Sequence, residues 1–98
     1  MGKTYSGREI DSALRKKGFL QERDGDHVHY YFVSSDGEKS TIKTKMSHGM
    51  SGSSLGPSLV SRMARQLFLT KDQFLDLIGC RLSEEGYREI LRKKKFSV

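Results

Sequence analysis

The sequence has little cysteine and no long apolar segment, and these absences exclude several classes of protein. Its single cysteine, Cys80, cannot form a disulfide or a cysteine-based metal site within one chain. Because Cys80 lies among apolar residues at a predicted helix end, we expect a buried free thiol. No segment approaches the roughly 20 apolar residues that cross a bilayer, and no basic start followed by an apolar core suggests secretion. We therefore expect a cytoplasmic protein.

Positive charge is what the sequence has in excess. Its 98 residues include 18 Lys and Arg but only 12 Asp and Glu, which gives a formal net charge of +6. This balance favours a polyanionic partner, with nucleic acid first and an anionic membrane surface second. The length allows one domain with a modest core.

Capping patterns mark the starts and ends of four predicted helices. Ser6-Gly7-Arg8-Glu9 and Thr70-Lys71-Asp72-Gln73 both have the capping-box form, in which a hydroxyl and a residue three positions later satisfy each other's backbone N–H groups. Gly18 supplies a left-handed stop for the first helix, and Pro57 suits the first turn of the second. A last helix is predicted to begin at Ser83.

Three strands are predicted between the first two helices. The segments Phe19–Arg23, His27–Ser34 and Glu38–Met46 are separated by the turn signals Asp24-Gly25 and Asp36-Gly37. Along the second strand, side chains alternate between a predicted core set and a predicted outward set, Val28, Tyr30 and Phe32 against His27, His29 and Tyr31.

The third strand carries a basic face. If Ile42 and Met46 join the core, then Lys39, Lys43 and Lys45 stand on the same open sheet face as the histidines. A one-residue bulge would reverse this placement.

Several short motifs of the chain resemble those of the HicA toxin family. Gly25-Asp26-His27 opens the second strand, the aromatic Tyr30 follows, and His48-Gly49 lies after the third strand. Leu55-Gly56-Pro57-Ser58-Leu59 is similar to the family's start of the second helix. Asp26 departs from the pattern, in which a small hydroxyl residue is usual. The resemblance covers about residues 6–69.

The resemblance implies a fold, an activity and a partner. The fold is α+β: a three-stranded antiparallel sheet packed by two helices in the order α-β-β-β-α, like the double-stranded RNA-binding domain. Residues 1–69 would form this domain. Residues 70–98 continue past the point where many family members end, which is a second departure from the pattern, and we expect them to form a helical extension packed on the same domain. The implied activity is cleavage of mRNA without a metal, silenced by an acidic antitoxin of the HicB type.

His27 is the candidate general acid/base. Cleavage of RNA through its 2′-OH needs one group to remove the hydroxyl proton and another to protonate the leaving oxygen, and imidazole suits either role. His29, roughly 7 Å further along the same face by strand rise, is the candidate second catalytic residue. The ordinary alternatives are a surface histidine beside a turn and a half-buried strand residue.

The candidate RNA and phosphate contacts are Lys39, Lys43 and Lys45, extended by Arg62 and Arg65. A solvated strand face and a solubilising helix face are the alternatives. The histidines have no established zinc spacing, so we expect neither a metal nor another cofactor. A non-catalytic RNA-binding module and a protein-interaction domain remain open as other functions.

Overall fold

Three strands follow the first helix, and three more helices follow the strands. The computed structural model describes residues 5–47 and 56–98. Its elements are α1 (Gly7–Lys16), β1 (Phe19–Asp24), β2 (His27–Val33), β3 (Lys39–Ser47), α2 (Pro57–Gln66), α3 (Lys71–Ile78) and α4 (Glu84–Lys93). The predicted α+β class and the α-β-β-β-α order are confirmed. His48-Gly49 lies outside the described residues.

The helix caps form as the sequence predicts. The Ser6 hydroxyl accepts a hydrogen bond from the Glu9 backbone N–H at 3.2 Å, and the Glu9 carboxylate accepts one from the Ser6 N–H at 3.0 Å. Thr70 and Gln73 exchange the same pair of bonds at 3.1 and 3.0 Å. Gly18 has a φ of +89°, the left-handed conformation that ends α1 at little steric cost.

The sheet is antiparallel with the strand order β1-β2-β3. Asp24 pairs with His27 across a two-residue turn in which Gly25 has a φ of +62°. Between Tyr31 and Val33, β3 advances by four residues while β2 advances by two, because their partners are Lys43 and Lys39. Two extra residues leave the alternation of faces unchanged, so the reversal that a one-residue bulge would cause does not occur.

One face of the sheet forms the core with the helices. The buried apolar side chains of the strands are Phe19, Val28, Tyr30, Phe32, Ile42 and Met46. Tyr87 of α4 packs against two of them, with ring centroids 5.8 Å from Phe19 and 4.9 Å from Phe32. Its hydroxyl donates to the Leu67 carbonyl at 3.0 Å, and burial raises the pKa of the phenol. Residues of α3 and α4 thus share one core with the sheet, while the division of the chain at residue 69 stays a prediction.

Cys80 is exposed, so the prediction of a buried thiol is wrong. The third helix ends at Ile78, and Cys80 follows it in a turn with a φ of +69°. The apolar periodicity of α3 does not extend to this position, because the chain has left the helix.

No helix among residues 5–47 and 56–98 combines the length and the apolar character needed to cross a bilayer.

A buried lysine joins the end of the first helix to the last turn of α3 and to the segment that follows α3. Lys17 is 8% exposed, and its ammonium donates to the carbonyls of Leu77 at 3.0 Å and Leu82 at 2.8 Å. Hydrogen bonds from a charged donor are stronger than those between neutral groups. Loss of the donor would leave a buried carbonyl without a partner, which destabilises the folded state.

Replacing Lys17 by methionine should lower the free energy of unfolding by about 1–3 kcal/mol, because the apolar stem is kept and the donor is lost. Lys16→Met is the matched control, since Lys16 is exposed one position earlier. The two variants would be compared by urea unfolding. Equal midpoints would show that the bonds of Lys17 contribute nothing to stability.

Candidate functional site

The face of the sheet opposite the core carries most of the predicted site residues, and we term it the open face. Side-chain alternation and the strand register assign to it Leu20, Glu22 and Asp24 of β1, His27, His29, Tyr31 and Val33 of β2, and Lys39, Lys43 and Lys45 of β3. Both histidines and all three lysines therefore lie on one surface, as the sequence predicts.

His27 is the first residue of β2 and is exposed. Its strand neighbours are Asp24 on one side and Ser47 on the other. Since β2 is the central strand, its backbone is held by ladders on both sides. The imidazole is therefore accessible to a ligand at the end of the open face while its backbone position is fixed.

His29 is more enclosed. Its side chain is 19% exposed, and its ring lies 6.2 Å from that of Tyr31 with an interplanar angle of 27°. The Nε2 atom is 4.0 Å from a carboxylate oxygen of Asp24, which is 88% exposed. This separation exceeds a hydrogen bond, so the Asp24 carboxylate does not fix the orientation of the His29 ring.

Tyr31 stands between the lysines of β3. The ammonium of Lys39 is 4.7 Å from the ring centroid and that of Lys43 is 5.6 Å from it. Both distances are within the range of cation–π attraction. The open face therefore holds an aromatic ring with ammonium groups over it, which are side chains of the kinds that contact bases and phosphates.

The open face also carries acidic groups that reduce its positive charge. The carboxylate of Glu22 accepts a hydrogen bond from the Lys39 ammonium at 2.8 Å, and this bond raises the pKa of Lys39. Both side chains are about half exposed, at 43% and 44%, so the pair contributes little to stability. Its larger effect is to occupy Lys39, so that of the three lysines on the open face only Lys43 and Lys45 have no carboxylate partner among the described residues.

A cavity of about 320 Å³ lies at the β3 side of this face, lined by His29, Lys43, Thr44, Lys45 and Gln66. The Thr44 hydroxyl donates to the side-chain carbonyl of Gln66 at 2.6 Å, which holds α2 against the edge strand. The cavity is large enough for a phosphate group and has two ammonium groups in its lining.

The two arginines of α2 are less closely joined to the site. Arg62 and Arg65 are both exposed. Arg62 lies one helical turn before Gln66 and so shares the side of α2 that faces the β3 edge, whereas Arg65 lies further round the helix. Of the two, only Arg62 is placed to extend the cavity.

Among residues 5–47 and 56–98, no three His, Cys, Asp or Glu side chains converge closely enough to hold a metal ion. His48 lies outside the described residues.

Sequence reasoning overlooked the β1 contribution to the open face and gave Tyr31 no role. The tight turn contained the missing signal. Once Asp24 pairs with His27, antiparallel pairing places Glu22 opposite His29 and Leu20 opposite Tyr31. The same register carried across β2 places Lys45 opposite Glu22, so the pairing of Glu22 with Lys39 does not follow from it.

Comparisons with protein-family models, with curated proteins and with solved structures find no match for this chain.

Replacing Glu22 by glutamine should release Lys39 and strengthen binding of a single-stranded oligonucleotide, up to about fivefold at low salt. Glu89→Gln makes the same charge change on the exposed surface of α4. Fluorescence polarisation of a labelled oligonucleotide would compare the two variants. An equal gain in both would mean that net charge, and not the open face, controls the binding.

Proposed function

We propose that this chain is a HicA-like ribonuclease toxin that cleaves mRNA in the cytoplasm without a metal, with His27 as general acid/base. The observation that carries the proposal is the exposed imidazole at the end of a sheet face whose neighbouring strand presents lysines. An exposed titratable group beside positive charge is suited to a phosphodiester substrate. The resemblance in sequence supports the same chemistry.

In the proposed reaction, neutral His27 removes the proton from a ribose 2′-OH. The 2′-oxygen then attacks the adjacent phosphorus, and the bond from phosphorus to the 5′-oxygen of the next nucleotide breaks. The products are a 2′,3′-cyclic phosphate and a 5′-OH, whose proton comes from a second acid or from water. Lys43 and Lys45 would stabilise the charge that builds on the phosphoryl oxygens.

The two histidines are not equally suited to act as the general base. His27 is exposed, while His29 is 19% exposed and lies against Tyr31. Contact with a substrate oxygen requires hydrogen-bond distance, which favours His27 as the group that removes the proton. His29 is then the candidate acid for the leaving oxygen, and the variants below separate the two roles.

An antitoxin of the HicB type is the proposed protein partner. Lys43 and Lys45 lack a carboxylate partner among the described residues, so an acidic surface would complement them. Such a partner would cover the open face and exclude RNA from it.

His27→Gln should slow RNA cleavage by about 10²–10⁴-fold, the usual contribution of a general acid or base. The exposed position makes the change harmless to folding, which circular dichroism would check. His29→Gln is the comparison: retained cleavage would remove the two-histidine mechanism and leave His27 as the one catalytic imidazole. Equal cleavage by wild type and His27→Gln would overturn the enzyme proposal.

A non-catalytic RNA-binding module is the second candidate, and the surroundings of Tyr31 favour it. An aromatic ring with two ammonium groups within 6 Å binds single strands by stacking and charge and needs no proton transfer. This function predicts that the protein binds RNA without cleaving it, and that His27→Gln binds RNA as tightly as the wild type.

Lys43→Gln should weaken RNA binding and reduce the slope of log affinity against log salt by about 0.7, one phosphate contact on a single strand. Lys16→Gln is the matched control, because Lys16 is an exposed lysine of α1. Binding isotherms between low and physiological salt would give both slopes. An unchanged slope for Lys43→Gln would show that this lysine does not contact phosphate.

A further inference from the structure

A second basic and aromatic surface lies where the C-terminal ends of α2 and α4 meet. Phe68 directly follows the last turn of α2, and Phe96 follows α4; we term them the aromatic pair. Their ring centroids are 4.6 Å apart at an interplanar angle of 46°. Phe68 is 43% exposed, although its neighbours Leu67 and Leu69 are buried in the core. An aromatic side chain thus reaches solvent beside the core of the protein.

The turn does not require an aromatic residue at position 68. Phe68 has a φ of +62°, and its N–H bonds to the Arg65 carbonyl while the N–H of Leu69 bonds to that of Ala64. This is a left-handed helix stop, in which glycine or asparagine has the lowest conformational energy. Cys80 and Lys95, which follow α3 and α4, have the same left-handed φ, so the backbone conformation alone does not distinguish Phe68. What distinguishes it is a bulky aromatic side chain that is 43% exposed at such a position.

The segments that carry the aromatic pair are basic throughout. Residues 58–71 and 90–98 contain seven Lys and Arg and no Asp or Glu. Among the described residues, Arg65, Lys94 and Lys95 form no ion pair. The helix dipole favours a cation at each helix C-terminus, such as Arg65 in the last turn of α2 and Lys94 at the C-cap of α4, but the seven cations of these segments are balanced by no acidic residue within them. The excess charge therefore favours a polyanion at this surface.

We infer that the aromatic pair is a second contact for single-stranded RNA, in which a base stacks on Phe68 and nearby phosphates are held by Arg65, Lys94 and Lys95. Every base has a face that stacks on an aromatic ring, and lysines beside the ring hold the backbone. One exposed ring suits a stacked base better than a membrane, whose binding needs a broad apolar face. The inference rests on the proposed function only in taking RNA as the ligand, and it does not require cleavage.

The geometry sets the length of RNA that can use both surfaces. The Cα atoms extend over 34 × 33 × 19 Å along the principal axes. At about 3.4 Å per nucleotide, the spacing of stacked bases in one strand, a 20-mer is roughly 68 Å long and a 5-mer roughly 17 Å. A labelled 20-mer can therefore contact both surfaces, and a labelled 5-mer only one.

The test measures RNA binding by fluorescence polarisation in the His27→Gln background, in which the proposed cleavage is removed. Phe68→Leu keeps an apolar side chain at the turn and should weaken binding of the 20-mer about 5- to 100-fold, the value of one base stack. Phe68→Trp should retain the affinity of the parent protein. The 5-mer, which is too short to join the two surfaces, should lose less affinity than the 20-mer in Phe68→Leu and should still be weakened by Lys43→Gln.

Unchanged binding of the 20-mer by a folded Phe68→Leu variant would overturn the second contact. Loss of binding to anionic lipid vesicles with RNA affinity intact would also overturn it, and would assign the surface to a membrane. If Phe68→Leu does not fold, the Lys94→Gln, Lys95→Gln double variant should still reduce the salt slope for the 20-mer by about 0.7 per lysine, and an unchanged slope would count against the contact. If His27→Gln abolishes cleavage but Phe68→Leu leaves RNA affinity unchanged, only the inference of a second contact is overturned. If the wild-type protein does not bind RNA, both proposals are overturned.

Discussion

The register between β1 and β2 is the constraint on which the rest of the structure depends. A shift of one residue would move His27 and His29 into the core and expose Tyr30 and Phe32. The two-residue turn at Gly25 fixes one end of the pairing. The opposite end is held by the core, where the rings of Phe19 and Phe32 lie 5.1 Å apart.

A network of polar side chains between α1 and the sheet also fixes the position of the central strand β2. The Tyr30 hydroxyl donates to Asp11 at 2.5 Å, and Asp11 also accepts hydrogen bonds from Gln21 of β1 and from Arg15 at 2.8 Å. Burial, together with the bond to this carboxylate, raises the pKa of Tyr30. The strand that carries the candidate imidazoles is thereby joined to both the first helix and the neighbouring strand.

The last helix supports the same strand from the helical side. Arg88 is 7% exposed, lies 4.8 Å from the Phe32 ring and donates to the Val33 carbonyl at 3.3 Å. Its charge is paired with Glu84 at 2.9 Å, and the Glu84 carboxyl lies so close to Gly18 that a Cβ there would be 2.8 Å from it. Residues 84–88 therefore fix the position of β2, although they lie on the side of the sheet away from the candidate site.

Local sequence signals were sufficient to predict the helices and strands and to assign the two faces of each strand. The capping boxes at Ser6 and Thr70 and the glycine turns act over three or four residues, so each can be read from the sequence directly. The pairing of Lys39 with Glu22 and the packing of Tyr87 on Phe19 could not, because they join residues distant in the chain. The exposure of Cys80 could not be predicted either. Apolar neighbours predict burial only while the helix continues, and α3 ends two residues before Cys80.

The strand order has a consequence for how copies of this protein behave toward one another. β1 and β3 are the outer strands, and an outer strand can recruit another chain through its free backbone groups, which is the first step of aggregation. Charged side chains, lysine above all, oppose that recruitment, and both outer strands are rich in them. The lysines of β3 therefore oppose pairing between copies of the protein through this edge, whatever ligand the open face binds.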